Sequence, residues 1–172
     1  MKIIKADKFI LRPFLLSDID SLLKYANNKK VADNLTDAFP HPYTKKDAES
    51  FLERFMHDDP LKAFAIEINK EACGAISVSP QTDIHRKNAE MGYWLAEPYW
   101  GKGIIAEAVK LIIDYGFKTF DINRIFASPF STNIASQHVL EKAGMKLEAR
   151  FEKTVIKNGN YLDELVYAIR KK

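Results

Sequence analysis

One cysteine, Cys73, is all the thiol this sequence holds. A disulfide framework and a thiolate metal cluster are therefore excluded. Cys73 lies in an apolar stretch and reads as a small buried hydrophobe rather than a nucleophile. Glycine and proline are sparse too, seven of each in 172 residues, and no repeat, linker or low-complexity segment breaks the chain. The four histidines (41, 57, 85 and 138) lack any metal-ligand spacing, so no metal is expected. No apolar run approaches the roughly 20 residues that span a bilayer, and the opening MKIIKADKF is too short and too charged for a signal peptide. The expectation is a cytoplasmic chain with no membrane partner. Charge of one sign is also missing: the net is +3, and the basic spots KK, HRK and RKK are short and far apart. Nucleic acid is not the expected partner.

What is present is the composition of a globular protein, 47% hydrophobic and 28% charged, at a length that suits one domain over residues 1–172. FILRPF (9–14) alternates as a short strand. SDIDSLLKYANN (17–28) carries Ile19, Leu22, Leu23 and Ala26 on one helical face, capped by Ser17 or Asp18. A second helix opens at Thr44, with Asp47 as capping-box partner and a stripe of Ala48, Phe51, Leu52 and Phe55. FPHPY (39–43), with its two prolines, is a stiff loop. Strands follow at 63–68, 72–79 and 88–96, the first two joined as a hairpin by NKE. A helix runs from Gly103 to about Phe120, a strand over 124–130, and a helix over 133–144 between Asn133 and Gly144. Two final strands, 146–156 and 161–169, flank KNGN. The fold class is α/β in layers: helices around a mixed, mostly antiparallel central sheet.

The stretch YWGKGIIAEAV asks for a chemical explanation. A strand ends, the chain turns through Gly101 and Gly103, and a long helix begins. The first turn of any helix has unpaired N–H groups and a partial positive charge. Removing Cβ lets a phosphate approach those groups closely, and Lys102 adds a mobile cation. A glycine turn that merely feeds a core helix explains the stretch equally well when it is taken alone. It is neither a Walker A loop nor a dinucleotide fingerprint.

Taken with NIASQHVLEKAGM (133–145), the stretch is more telling. Five segments stand in order: LRPFLLSDIDSL, FPHPYTKKDAESFL, AEMGYWLAEPYWGKGIIAEAV, NIASQHVLEKAGM and NGNYLDELVYAI. With these the sequence resembles the GNAT superfamily of acetyl-CoA-dependent N-acetyltransferases, and within it the branch of ribosomal-protein N-terminal acetyltransferases (RimJ/RimL type). The resemblance implies that the pyrophosphate of coenzyme A sits on the N–H groups of Gly101, Lys102, Gly103, Ile104, Ile105 and Ala106. It implies that the pantetheine arm lies beside Tyr93, Trp94 and Leu95, and that Asn133 touches the cofactor. Ile105 stands where the family prefers Gly or Ala, and Pro98 falls one place later than the usual proline.

Acetyl transfer needs a base for the ammonium, a donor to the thioester oxygen and a partner for the departing thiolate. Glu90, in an apolar strand on the same face as Gly92 and Trp94, is the candidate base, acting directly or through water; an exposed strand glutamate paired to a lysine is the plain alternative. N–H groups near Met91 to Tyr93 can polarise the carbonyl, and Ser136 can meet the thiolate or simply face solvent at a helix start. No acyl-enzyme is invoked. The acceptor is expected between the FPHPY loop and the last hairpin, where His41, Tyr43 and Tyr161 either line it or are plain packing, the usual fate of aromatic side chains beside prolines. Its favoured identity, resting on the resemblance, is a protein N-terminal α-amine; a small amine (aminoglycoside, polyamine or amino acid analogue) and a non-catalytic acyl-CoA-binding module are the alternatives. The chain is expected to act as a monomer or homodimer.

Overall fold

A computed structural model describes residues 3–171. Eight strands form one sheet in the order β1-β2-β3-β4-β5-β6-β8-β7. Every described pairing is antiparallel except β5 with β6. The chain divides into two compact units, residues 1–77 with 93–104, and 78–92 with 105–172.

The first unit holds β1 (Ile4–Lys5), β2 (Ile10–Arg12), α1 (Ile19–Ala26), α2 (Lys29–Ala32), α3 (Lys45–Phe55), β3 (Ala63–Ile68) and most of β4 (Glu71–Pro80). Thr44 and Asp47 make the expected capping box of α3, with the Thr44 N–H donating to Asp47 Oδ2 at 2.7 Å. The β3–β4 hairpin turns through Asn69 and Lys70, both at positive φ (52° and 68°), as a right-twisted ribbon requires. Phe14, Leu22, Ala26, Tyr43, Leu52 and Trp94 lie in one buried cluster with alanines of β3 and β4. Helix α1 begins differently from expectation. Neither Ser17 nor Asp18 caps it by a side-chain hydrogen bond. Asp18 is buried and already occupied: Arg12 forks onto both of its oxygens at 2.8 Å, and the Leu15 N–H donates to Oδ2 at 2.8 Å. Glu67 meets the other side of the same guanidinium.

The second unit contains the start of β5 (Asn88–Leu95), nearly all of α4 (Ile104–Thr119), β6 (Arg124–Ala127), α5 (Ile134–Lys142), β7 (Lys146–Lys157) and β8 (Asn160–Arg170). Gly116 lets α4 approach the sheet: a Cβ there would lie 3.0 Å from Ile125 Cδ1 and 3.1 Å from Val78 Cγ2. Strand β6 is shorter than the expected 124–130 because Pro129 brings no N–H to a ladder. Phe130 returns only as an isolated bridge to Glu164. Edge strand β7 bulges at Lys153 (φ 54°), whose N–H turns to Asp163 Oδ1 at 2.9 Å, a form that discourages pairing with another edge. No helix among the described residues is long and apolar enough to cross a membrane.

Candidate active site

In the first unit, β5 ends at Leu95 and the chain descends through a 3-10 turn (Glu97–Tyr99) into Trp100 and the glycine turn. Each step is fastened. The Ala96 N–H donates to the Cys73 carbonyl at 2.8 Å, and the Trp100 N–H to the Glu97 carbonyl at 3.1 Å. The Trp100 indole Nε1 reaches back to the Leu95 carbonyl at 2.7 Å, tying the turn to the end of the strand. Asn28 Nδ2 donates to Glu97 Oε2 at 2.8 Å, and Lys30 pairs with the other oxygen. Lys30 first and Asn28 second hold the Glu97 carboxyl below its ordinary range. The Tyr25 ring meets Tyr99 edge-on, centroids 6.3 Å apart.

The turn itself is bare. Gly101 and Gly103 sit at φ 73° and 79°, a region other residues enter only under strain. A Cβ placed on either would meet no atom within 4 Å. Among the described residues the N–H groups of Gly101, Lys102 and Gly103 donate no hydrogen bond. Lys102 lays its ammonium over the Tyr99 ring, 5.3 Å from the centroid, and Lys8 Nζ donates to the Lys102 carbonyl at 3.2 Å. A cleft of about 580 Å³ lies beside the turn, lined by Lys8, Ile68, Tyr99, Gly101, Lys102 and Ile104.

Of the other residues expected in this unit, Tyr93 is half-buried, while Leu95 and Ile104 are buried. Trp94 is buried with its indole Nε1 lacking a partner among the described residues, and its ring packs 5.5 Å from Phe39. His41 is exposed and joined to Pro42 by a cis bond. Tyr43, for which acceptor wall and plain packing are both open on sequence, is a core residue. It is 5% exposed, its ring tilted 35° against Phe39 with centroids 5.2 Å apart, and burial pushes its hydroxyl up to about 12.

In the second unit, Glu90 is exposed on β5, directly across from Phe126 of β6. No lysine pairs with it among the described residues. That pairing is the last of the parallel ladder, which covers only Asn88–Glu90 against Arg124–Phe126 although β6 continues to Ala127. Ile105 and Ala106 are half-buried in the first turn of α4. Asn133 caps α5 as expected, its Oδ1 accepting the Ser136 N–H at 3.1 Å, and Ser136 is half-buried. Tyr161 is 66% exposed near the start of β8. No group of three or more histidine, cysteine or acidic residues among those described could hold a metal.

Sequence reasoning missed Lys8, Asn28, Lys30 and Glu97. Their partners lie 94, 69 and 67 residues away in the chain, and no local pattern announces contacts of that kind.

The mixed, mostly antiparallel sheet with its flanking helices is an α/β architecture, and the glycine turn leaves main-chain N–H groups of the kind that bind anions. The acetyltransferase (GNAT) domain family matches residues 8–146, and the chain belongs to that family of N-acetyltransferases, which take the acetyl group from acetyl-coenzyme A. It is 28% identical to the uncharacterized N-acetyltransferase YnaD of Bacillus subtilis over 96% of this chain and 95% of that protein. It is 27% identical to the spermidine N(1)-acetyltransferase of Escherichia coli K12, covering 88% of this chain and 80% of that enzyme. Among solved structures, RimL, the ribosomal L7/L12 α-N-protein acetyltransferase in complex with coenzyme A, superposes with a TM-score of 0.85 over 98% of both chains at 23% identity. The residues present fit the coenzyme's diphosphate: three unengaged N–H groups, two side-chain-free positions and the ammonium of Lys102 on the same turn.

Proposed function

We propose that this acetyltransferase acts on the N-terminal α-amine of a protein, with coenzyme A held by the main chain from Gly101 to Ala106. The observation that carries the coenzyme's placement is the set of unengaged N–H groups at Gly101, Lys102 and Gly103, where no side chain blocks an approaching anion. Asn133 adds a contact to the cofactor, and the pantetheine arm runs beside Tyr93, Trp94 and Leu95. The acceptor's identity is supported by the order of sequence segments and by the likeness in fold to RimL.

Glu90 takes the proton from the incoming ammonium, directly or through one water. Its exposure and lack of an ion pair leave both carboxylate oxygens available for that role. The amine nitrogen then forms its bond to the thioester carbon while the carbon–sulfur bond breaks. N–H groups near Met91 to Tyr93 stabilise the charge that gathers on the carbonyl oxygen. Ser136 donates a hydrogen bond to the departing thiolate, which takes up the second proton that the acylated nitrogen sheds, leaving neutral amide and thiol. His41 and Tyr161, both exposed, are the side chains offered to the acceptor.

A small polyamine is the second reading, favoured by the likeness to spermidine N(1)-acetyltransferase over 80% of that enzyme. The two separate in one assay: thiol release from acetyl-CoA against peptides with a free N-terminus, the same peptides blocked, spermidine and an aminoglycoside. Turnover is expected with free peptides and lost on blocking. A preference for spermidine would replace the first reading with the second. Glu90→Gln is expected to reduce kcat roughly 100-fold or more, the usual worth of a general base, with the affinity for coenzyme A unchanged.

A further inference from the structure

We propose that Lys8 is a positioning residue for coenzyme binding: by holding the carbonyl oxygen of Lys102 it aims the Gly103 N–H at the coenzyme's diphosphate. The inference deepens the reading above and rests on it. The peptide between Lys102 and Gly103 is trans, so its C=O and its N–H point in opposite directions. Lys8 Nζ, from the segment between β1 and β2, donates to the Lys102 oxygen at 3.2 Å. The oxygen side of the peptide is thereby engaged, and the Gly103 N–H faces away from Lys8 with no acceptor among the described residues.

The turn needs such a hold. Glycine crosses between positive and negative φ at little cost, and glycines stand at both 101 and 103. With open space where their Cβ atoms would be, no neighbour crowds the glycines into a fixed φ. A flip of the Lys102–Gly103 peptide would present the carbonyl oxygen to the diphosphate in place of the N–H, exchanging attraction for repulsion. A charged donor on that oxygen opposes the exchange more strongly than a neutral one would. Lys102 does not do this itself, since its ammonium lies over the Tyr99 ring. Lys8 forms no ion pair among the described residues that would draw it elsewhere. It is exposed, so its replacement leaves the core intact.

The test compares wild type, Lys8→Met and Lys8→Arg with three acetyl donors: acetyl-CoA, acetyl-dephospho-CoA and S-acetylpantetheine, which lacks the diphosphate. Lys8→Met is expected to raise KM for the first two equally, roughly three- to tenfold, the worth of one hydrogen bond. Its kcat should stay within about twofold and its melting temperature should not move. Lys8→Arg is expected to recover most of the loss, and S-acetylpantetheine should be used equally by all three proteins. An unchanged KM for acetyl-CoA in Lys8→Met overturns the proposal. So does an equal loss with S-acetylpantetheine, or a loss confined to acetyl-CoA, which would make Lys8 a direct ligand of the 3′-phosphate. Wild type that fails to bind coenzyme A overturns the coenzyme reading and this proposal together, whereas a wild type that binds, matched by Lys8→Met, overturns this proposal alone.

Discussion

Tyr43 packs as a core residue. Its place in an aromatic and proline-rich loop suits either a wall for the acceptor or plain packing; the ring turns inward onto Phe39, and its backbone N–H donates to Asn27 Oδ1 at 3.1 Å. Burial raises its hydroxyl from the ordinary 10 to about 12. The consequence for stability has a definite sign. Between pH 10 and 12 the unfolded chain loses this proton and the folded one keeps it, so stability falls as pH rises through that window. Tyr43's share of the slope is at most about 1.4 kcal/mol per pH unit. Denaturant unfolding at several alkaline pH values should show Tyr43→Phe losing stability less steeply than wild type; identical slopes would mean that the hydroxyl titrates normally. Glu97 is the converse case, a surface carboxylate held low by Lys30 and Asn28, which keeps the approach to the glycine turn pinned across neutral pH.

Among the elements, the close approach of β4 to the end of β5 at Gly74 decides whether the two strands can take their observed form. Gly74 has no room for a side chain. A Cβ would lie 2.5 Å from the Trp94 carbonyl oxygen and 3.1 Å from Leu95 Cα, both main-chain atoms that cannot step aside. Gly74→Ala is therefore expected to destabilise the fold by about 1–3 kcal/mol, the usual range for overpacking, and to weaken coenzyme A binding by displacing Trp94 and Leu95. Chemical denaturation alongside calorimetry checks both effects, and a variant as stable as wild type would mean the strands are free to separate. Elements defined by neighbours in the chain were legible in advance. The capping box of α3, the Asn69–Lys70 turn, and α5 between Asn133 and Gly144 (φ 87°) are each written in a few consecutive residues. The two-residue β1 and the four-residue α2 were not legible, because pieces so short carry no periodicity. Strand β6 stops at Ala127, short of the apolar run that persists past Pro129 to Phe130. SDIDSL offers Ser17 or Asp18 as a helix cap, and nothing in it reveals that Arg12 competes for Asp18.

For the molecule as a whole, the sequence announced the glycine turn, the helix behind it and the capped start of α5. It could not announce the strand order, in which β8 lies between β6 and β7, nor the distant side chains that steady the turn. Those depend on partners brought together only by folding. The central claim is that the main-chain N–H groups at Gly101–Gly103 grip a diphosphate. Isothermal titration of coenzyme A into wild type and into Gly103→Val measures it directly. Valine at φ 79° costs about 1–2 kcal/mol of local strain and sets a branched side chain where the phosphate must lie. Wild type should bind with one site per chain, and Gly103→Val, still folded by circular dichroism, should show no binding heat. Equal affinity in the two proteins, or no heat from wild type, would contradict the account.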